Sequence, residues 1–278
     1  MIADTHVHTR LSKDAPQESE NTILSVLAEA GKKGLQYIAE TEHCDIITGK
    51  SCYNVDFPAY EASFVAAEHS QMAAGRSQTR LLFGIELAHA HTHKAEAAAI
   101  LAAHSFDFVL GSLHMPRDGV DTWEAAYQDA HDDETLFAAF ESYVGELYEI
   151  ASECDFDSLA HCTYPLRYFA YNGRMSALCE KPSAFVPLYD AVFRKLIERG
   201  KALEINTSMV EERGVMQPSA DLIKLYKSLV TIGSDAHHFS LVGRGIKQAE
   251  TLLREVGFEG VTVFVGRKAR IIPFENAE

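Results

Sequence analysis

Ile2-Ala3-Asp4-Thr5-His6-Val7-His8 opens the chain, and its reading decides the fold. An apolar, strand-forming start runs within a few residues into side chains that bind metals. Successive side chains of a strand alternate faces, so Asp4, His6 and His8 are expected on one side and Thr5 and Val7 on the other. Imidazoles two residues apart lie about 7 Å from each other along a strand and can converge on one cation. A lone His-x-His pair fits paired surface histidines equally well. Recurrence decides between the two. Candidate strands at 37–41, 81–86, 106–111, 157–160 and 230–233 lead into Glu42-His43, Glu86, His114, His161 and Asp235-Ala236-His237. Only a further candidate strand, 202–206, ends without such a residue, on Asn206.

Between these strands lie helical stretches at 22–33, 59–74, 94–103, 134–152, 187–199, 219–227 and 246–255, with a short strand near 261–265 at the end. In the first helix Ile23, Leu27 and Ala30 share a face, Asn21 is the expected cap and Gly34 the stop. Alternating strands and helices imply a parallel sheet with crossover helices, closed or doubly wound. The chain has 278 residues, no fixed-period repeat and no Pro/Gly/Ser-rich linker, so a single domain over 1–278 is expected. Two long loops, 46–58 and 115–133, are expected to frame a site, with Trp123 in the second. In a barrel, strand C-terminal ends gather on one face, which is where the ligand-type residues fall.

Each of these residues has a bland reading: Glu86 in a salt bridge, His114 as a satisfied buried histidine, Asp235 as a helix cap. Six strand ends of seven carrying such side chains is not explained that way, and a multinuclear metal site is expected. Only nitrogen and oxygen donors are offered, which suits Mn, Fe or Zn. Ions a few Å apart can clamp a phosphate, generate hydroxide from water and stabilise a departing alkoxide. His89-Ala90-His91-Thr92-His93 is read either as an extension of the site or as a loop entering the next helix, and His69, His104 and His131 as surface or packing residues. His238, beside His237, is a candidate substrate contact. Arg167, Arg213 and Arg244 are candidate phosphate ligands, since a guanidinium matches phosphate geometry.

The formal charge of −15 argues against a nucleic-acid backbone or an anionic membrane as partner. It leaves room for a small anionic substrate held by cations in one pocket. Five cysteines without a Cys-x-x-Cys pair signal neither a disulfide framework nor a thiolate zinc site, and Cys44 is read as a structural thiol. No apolar run is long enough to cross a membrane and charge begins at Asp4, so a soluble cytoplasmic protein is expected.

Together Asp4-x-His6-x-His8, Thr41-Glu42-His43, Gly84-Ile85-Glu86, Gly111-Ser112-Leu113-His114 and Gly233-Ser234-Asp235-Ala236-His237 resemble the successive motifs of the polymerase-and-histidinol-phosphatase (PHP) family. His8-Thr9-x-x-Ser12-x-Asp14, Thr41-Glu42-His43-Cys44-Asp45 and Glu204-Ile205-Asn206-Thr207-Ser208 are similar to its histidinol-phosphatase branch. The resemblance implies a distorted (β/α)7 TIM-like barrel holding up to three divalent ions. It implies His6, His8, Glu86 and Asp235 on the first ion, and Glu86, His114 and His161 on the second. Asp14, His43 and His237 would hold the third, Asp14 standing where other members carry histidine. Thr163, two residues after His161, stands where the close histidinol phosphatases are expected to carry Asp, and the entry at Ser228-Leu229-Val230 is short. The implied reaction is hydrolysis of a small phosphorylated metabolite, L-histidinol phosphate, by metal-bound hydroxide. Asp235, His237 and Arg167 would form the catalytic centre. The alternatives are a nucleotide, nucleic-acid end or phosphotyrosine as substrate, a non-catalytic metal-binding domain, or an amidohydrolase barrel.

Overall fold

The computed structural model describes residues 1–46, 55–75, 78–117, 133–169 and 182–274. The elements in chain order are β1 (Ala3–Val7), α1 (Ile23–Lys32), β2 (Tyr37–Glu40), β3 (His43–Asp45), α2 (Phe57–Ala74), β4 (Arg80–Ala88), α3 (Lys94–Ala103) and β5 (Phe108–Ser112). There follow α4 (Asp133–Glu153), β6 (Ser158–Leu159), α5 (Tyr164–Phe169), α6 (Pro182–Glu198), β7 (Ala202–Asn206), α7 (Val210–Arg213), α8 (Ala220–Leu225) and β8 (Val230–Gly233). Last come a 3-10 turn (Phe239–Leu241), α9 (Ile246–Glu255), β9 (Gly260–Val265) and β10 (Lys268–Pro273).

The strands pair in parallel in the order β1-β2-β4-β5-β6-β7-β8, with β3 beside the upper half of β4. Val7 bridges Ala236 in parallel, and the amides of His8 and Asp235 donate to the carbonyls of Ala236 and His6, at 2.8 Å each. That seam joins the first and last strands, so the sheet nearly closes into the expected barrel. Its lower interior is filled by Ala39, Leu82, Phe108, Leu110, Ala160, Ala202 and Phe264. Leu82 lies on the same face of β4 as Glu86, and Ala202 on the same face of β7 as Glu204, because strand side chains repeat every second residue. The same pattern therefore supplies apolar packing below and polar groups above.

A larger apolar layer lies between the sheet and the helices. Buried tyrosines fasten the helices to strand ends through their hydroxyls: Tyr60 of α2 donates to the carbonyls of Glu40 and Gly84, Tyr143 of α4 to Leu113, and Tyr189 of α6 to Cys162. A buried phenol needs such a partner.

Several expectations are corrected. Between the pairs Asp4↔Ile38 and Val7↔Glu40, β1 has one residue more than β2, a bulge that breaks the alternation. Asp4 therefore does not join His6 and His8. Its carboxylate accepts from the amides of Ser234 (2.8 Å) and Gly243 (2.7 Å) and holds the seam together. Thr22, not Asn21, caps α1, accepting from the Ser25 amide. Asn21 instead donates to the His237 carbonyl and accepts from the Phe239 amide, at 2.9 and 3.0 Å. The helix expected to begin at Pro187 begins at Pro182, with Pro187 inside it at the loss of one intrahelical bond. The strand near 261–265 forms an antiparallel hairpin with β10, and Phe264 of that hairpin packs on Phe108 at 5.6 Å between ring centroids. Most of both long loops, with Cys52, Trp123, His131 and Cys179, lies outside the described residues.

Candidate metal centre

Glu86, at the upper end of β4 and fully buried, is the hub. Its Oε1 lies 3.0 Å from Nε2 of His114 and 2.9 Å from Nε2 of His161. Its Oε2 lies 2.8 Å from Nδ1 of His43, 3.4 Å from Nε2 of His6 and 3.5 Å from Nε2 of His8. Asp235 Oδ1 faces His6, His8 and His237 at 3.8, 3.6 and 3.6 Å. Asp14 Oδ2 closes the outer side, 3.1 Å from His43 Nε2 and 3.3 Å from His237 Nε2. All nine expected ligands, from six separate strand ends and the loop after β1, thus converge on one place. Overlapping groups with metal-ligand geometry include His6/His8/Asp235, His6/Glu86/His161, His43/Glu86/His114 and His8/His43/His237.

Whether this is a hydrogen-bonded cluster or a cation site is decided by its inward atoms. His6 Nε2 and His8 Nε2 are buried and make no hydrogen bond, and the buried His43 Nδ1 and Glu86 Oε2 meet at 2.8 Å as an ion pair without hydrogen-bond geometry. Folded proteins rarely leave such atoms without partners. Here they face one another, as ligand atoms around cations do. The residues fit divalent metals.

The electrostatics agree. Burial pushes the Glu86 and Asp235 carboxyls up, but neighbouring His114, His6 and His43 for the first, and His6 and Arg167 for the second, hold both well below the usual carboxylate range. Burial and the crowding of His43, His237 and His6 push His8 well below the ordinary imidazole value. Burial lowers His6 too, yet Glu204, Glu86 and Asp235 outweigh it and hold that ring well above its ordinary value. A metal takes up ionised carboxylates and neutral imidazoles, so cations entering here would displace the remaining imidazole protons.

The flanking candidates separate. Arg167 of α5 reaches the centre: its guanidinium lies 3.0 Å from Asp235 Oδ2 and 2.8 Å from Ser208 Oγ, over the Tyr164 ring at 5.0 Å. Arg244 turns its Nε to the Ser234 carbonyl at 3.3 Å, one residue from Asp235. Arg213 ends α7 in an exposed position. His238 is taken up by Ser240 (2.8 Å) and Glu18 (3.3 Å) and caps the 3-10 turn, so it points away from the cluster. The His89–His93 stretch divides: His89 is buried near Asp45 and His114, His91 pairs with Glu146 at 2.7 Å, and His93 stands at the start of α3. Two carboxylates were not singled out from sequence. Asp45 Oδ2 lies 2.8 Å from Nδ1 of His114, and Glu204 Oε1 lies 2.6 Å from Nδ1 of His6. The signal for Glu204 was its alternation with Ala202 and Asn206 on the strand that ends without a ligand.

A sequence profile described as the PHP domain matches residues 4–208. The match stops short of Asp235 and His237, which the fold brings back to the residues inside it. A protein of Clostridium acetobutylicum named "Probable histidinol-phosphatase" is 28% identical over 261 residues, covering 90% of this chain and 91% of that one. The histidinol-phosphatase of Lactococcus lactis is 25% identical over 276 residues, covering 95% of each. The solved structure of the Lactococcus lactis histidinol phosphate phosphatase, complexed with zinc, L-histidinol and phosphate, superposes with a TM-score of 0.74 at 22% identity, over 97% of this chain and 100% of that one.

Proposed function

This chain belongs to the PHP domain family, and on that premise we propose that it is a metal-dependent phosphatase that hydrolyses L-histidinol phosphate to L-histidinol and phosphate. The observation that carries the reading is the convergence of three carboxylates and six imidazoles, among which His6 Nε2, His8 Nε2, His43 Nδ1 and Glu86 Oε2 face one another without hydrogen bonds. The relatives' printed activity supports the choice of substrate.

Three divalent ions of the Mn, Fe or Zn type are the proposed cofactors. His6, His8, Glu86 and Asp235 would hold the first, Glu86, His114 and His161 the second, and Asp14, His43 and His237 the third. Bound there, the ions would supply Lewis acidity toward the phosphoryl oxygens and lower the pKa of water. The chain's own part is orientation and charge. Arg167, fixed by Ser208 and Asp235 and backed by Tyr164, offers its guanidinium at the edge of the cluster to the phosphoryl group. Asp235 and His237, 3.6 Å apart, complete the proposed catalytic centre beside Arg167 as ligands that would hold the first and third ions next to the phosphoryl group. We read the chain as one domain, because a single continuous apolar layer runs from Ile2 to Val263. No helix among the described residues is long and apolar enough to cross a membrane. A cytoplasmic location and a small phosphorylated metabolite as partner complete the proposal.

The test is a phosphatase screen over histidinol phosphate, nucleotides, sugar phosphates and phosphotyrosine under matched metal loading. Histidinol phosphate should lead the panel. A nucleotide in first place would reject the substrate and keep the phosphoesterase, while absence of any phosphatase activity in the metal-loaded protein would reject both.

A further inference from the structure

Glu204 belongs to none of the ligand groups, yet it touches two ligands from behind. It lies on β7, fully buried. Its Oε1 is 2.6 Å from Nδ1 of His6, and its Oε2 accepts the His161 main-chain amide at 2.7 Å and the Asn206 side-chain amide at 3.3 Å. The other nitrogen of His6, Nε2, makes no hydrogen bond and faces Glu86 and Asp235. A carboxylate on Nδ1 requires a proton there, which leaves the lone pair on Nε2, directed into the cluster. At His161 the same carboxylate anchors the main chain, and the ring beyond it puts Nε2 2.9 Å from Glu86 Oε1.

One side chain therefore sets the tautomer and ring plane of a ligand to the first proposed ion and the main-chain position of a ligand to the second. The surroundings keep space for it. A Cβ on Gly233 would strike both Glu204 Oε1 and the Cβ of His6, so residue 233 must be glycine for the pair to meet. Asp45 stands behind His114 in the same relation, at 2.8 Å, and its other oxygen lies 3.8 Å from Nδ1 of His43.

We propose that Glu204 is a positioning residue that couples two of the three metal positions by holding His6 and His161 together. The proposal rests on the metal reading of the site. The experiment compares the wild-type protein with Glu204→Gln, each stripped of metal and titrated with Co2+. Bound cobalt is read by visible absorption and elemental analysis, and the thermal midpoint of the metal-free form is measured alongside. Glutamine keeps the size but cannot accept from both His6 and the His161 amide. Loss of such outer partners weakens metal binding about 10- to 100-fold. That loss is expected for two ions, with an altered cobalt spectrum, while the ion at Asp14, His43 and His237 keeps its affinity and the metal-free midpoint moves little. Glu204→Asp, which keeps the charge but shortens the reach to His6 and to the His161 amide, should weaken the same two ions, and it serves if Glu204→Gln fails to fold. Wild-type affinity for all ions in either folded variant overturns the proposal. So does an equal loss at every position accompanied by a large fall in the metal-free midpoint, which marks a packing role. A wild-type protein that binds no cobalt removes the metal reading instead.

Discussion

At Glu86 five imidazole nitrogens lie between 2.8 and 3.5 Å from two carboxylate oxygens. An alanine there removes the bridge between proposed metal positions, so activity and metal content should fall together. Glu86→Ala is expected to lower kcat at least ~10³-fold, the scale of losing a principal electrostatic stabiliser, with elemental analysis showing the parallel loss of ions. Asp14→Ala touches only the outer position and should retain two ions. Near-normal turnover and stoichiometry in Glu86→Ala would refute the bridging assignment. Glu40 poses a different question, because it is fully buried and neither of its oxygens makes a hydrogen bond. Burial, with Glu42 and Asp4 close by, pushes its carboxyl well above the usual range. A carboxyl raised on folding contributes stability at low pH that is lost as pH rises through its folded-state value. Glu40→Gln, neutral at every pH, should therefore match wild type near pH 4, below the ordinary carboxyl value, and exceed it in thermal midpoint near pH 9. An identical pH dependence in both proteins would show that Glu40 is ionised throughout.

Strands are where local pattern and tertiary fit meet. The period-2 alternation that loads the lower barrel with Leu82 and Ala202 is the one that brings Glu86 and Glu204 up into the polar half. It fails in β1, where the bulge turns Asp4 to the amides of Ser234 and Gly243. No local propensity marks that extra residue. It follows from joining β1 both to β2 and to the end of β8. Glycines at other strand positions have steric reasons too. A Cβ on Gly84 would lie 2.7 Å from the Glu40 carbonyl oxygen, 2.9 Å from Thr41 Cγ2 and 3.1 Å from the Phe108 carbonyl oxygen. Two of these neighbours are main chain and cannot swing aside, so Gly84→Ala should cost about 1–3 kcal/mol, as overpacking does. Urea unfolding of the metal-free protein measures this directly, and an unchanged midpoint would mean that β2 and β5 can part at that level.

Across the whole molecule, strand ends far apart in sequence share one cluster, so metal binding and global stability are linked. Ions that bind only the folded state raise its stability with the logarithm of their free concentration. The thermal midpoint should climb as Mn2+ or Zn2+ is added to stripped protein, and chelator should abolish phosphatase activity; a midpoint and an activity indifferent to both would remove the metal centre from the account. Substrate choice also belongs to this scale, since the residues that line the cluster come from several elements. An enzyme dedicated to histidinol phosphate draws transition-state binding from the amino-imidazole half as well as the phosphate. Its kcat/KM should then exceed that for p-nitrophenyl phosphate by at least ~100-fold, although the latter has the better leaving group. Equal efficiencies would leave the phosphatase and reject the dedicated role.

Eight of the nine converging ligands were legible in the sequence because each lies at the end of an apolar strand, and a parallel barrel gathers strand ends on one face whatever lies between them, while Asp14 in the loop after β1 was legible only through the family resemblance. That logic is local and needs no knowledge of which strands pair. It could not exclude Asp4, which a bulge set by two neighbouring strands turns aside. Nor could it find Glu204 and Asp45, whose roles depend on approaches between residues 198 and 69 positions apart. His238 looked like a site residue from its neighbour His237, and only the 3-10 turn and Glu18 show it facing elsewhere. Chain pattern determined which chemistry gathers at the barrel mouth. Which oxygen faces which nitrogen, and which carboxylate stands behind the ligands, was decided by closure of the sheet, because only there do distant side chains come within hydrogen-bond range.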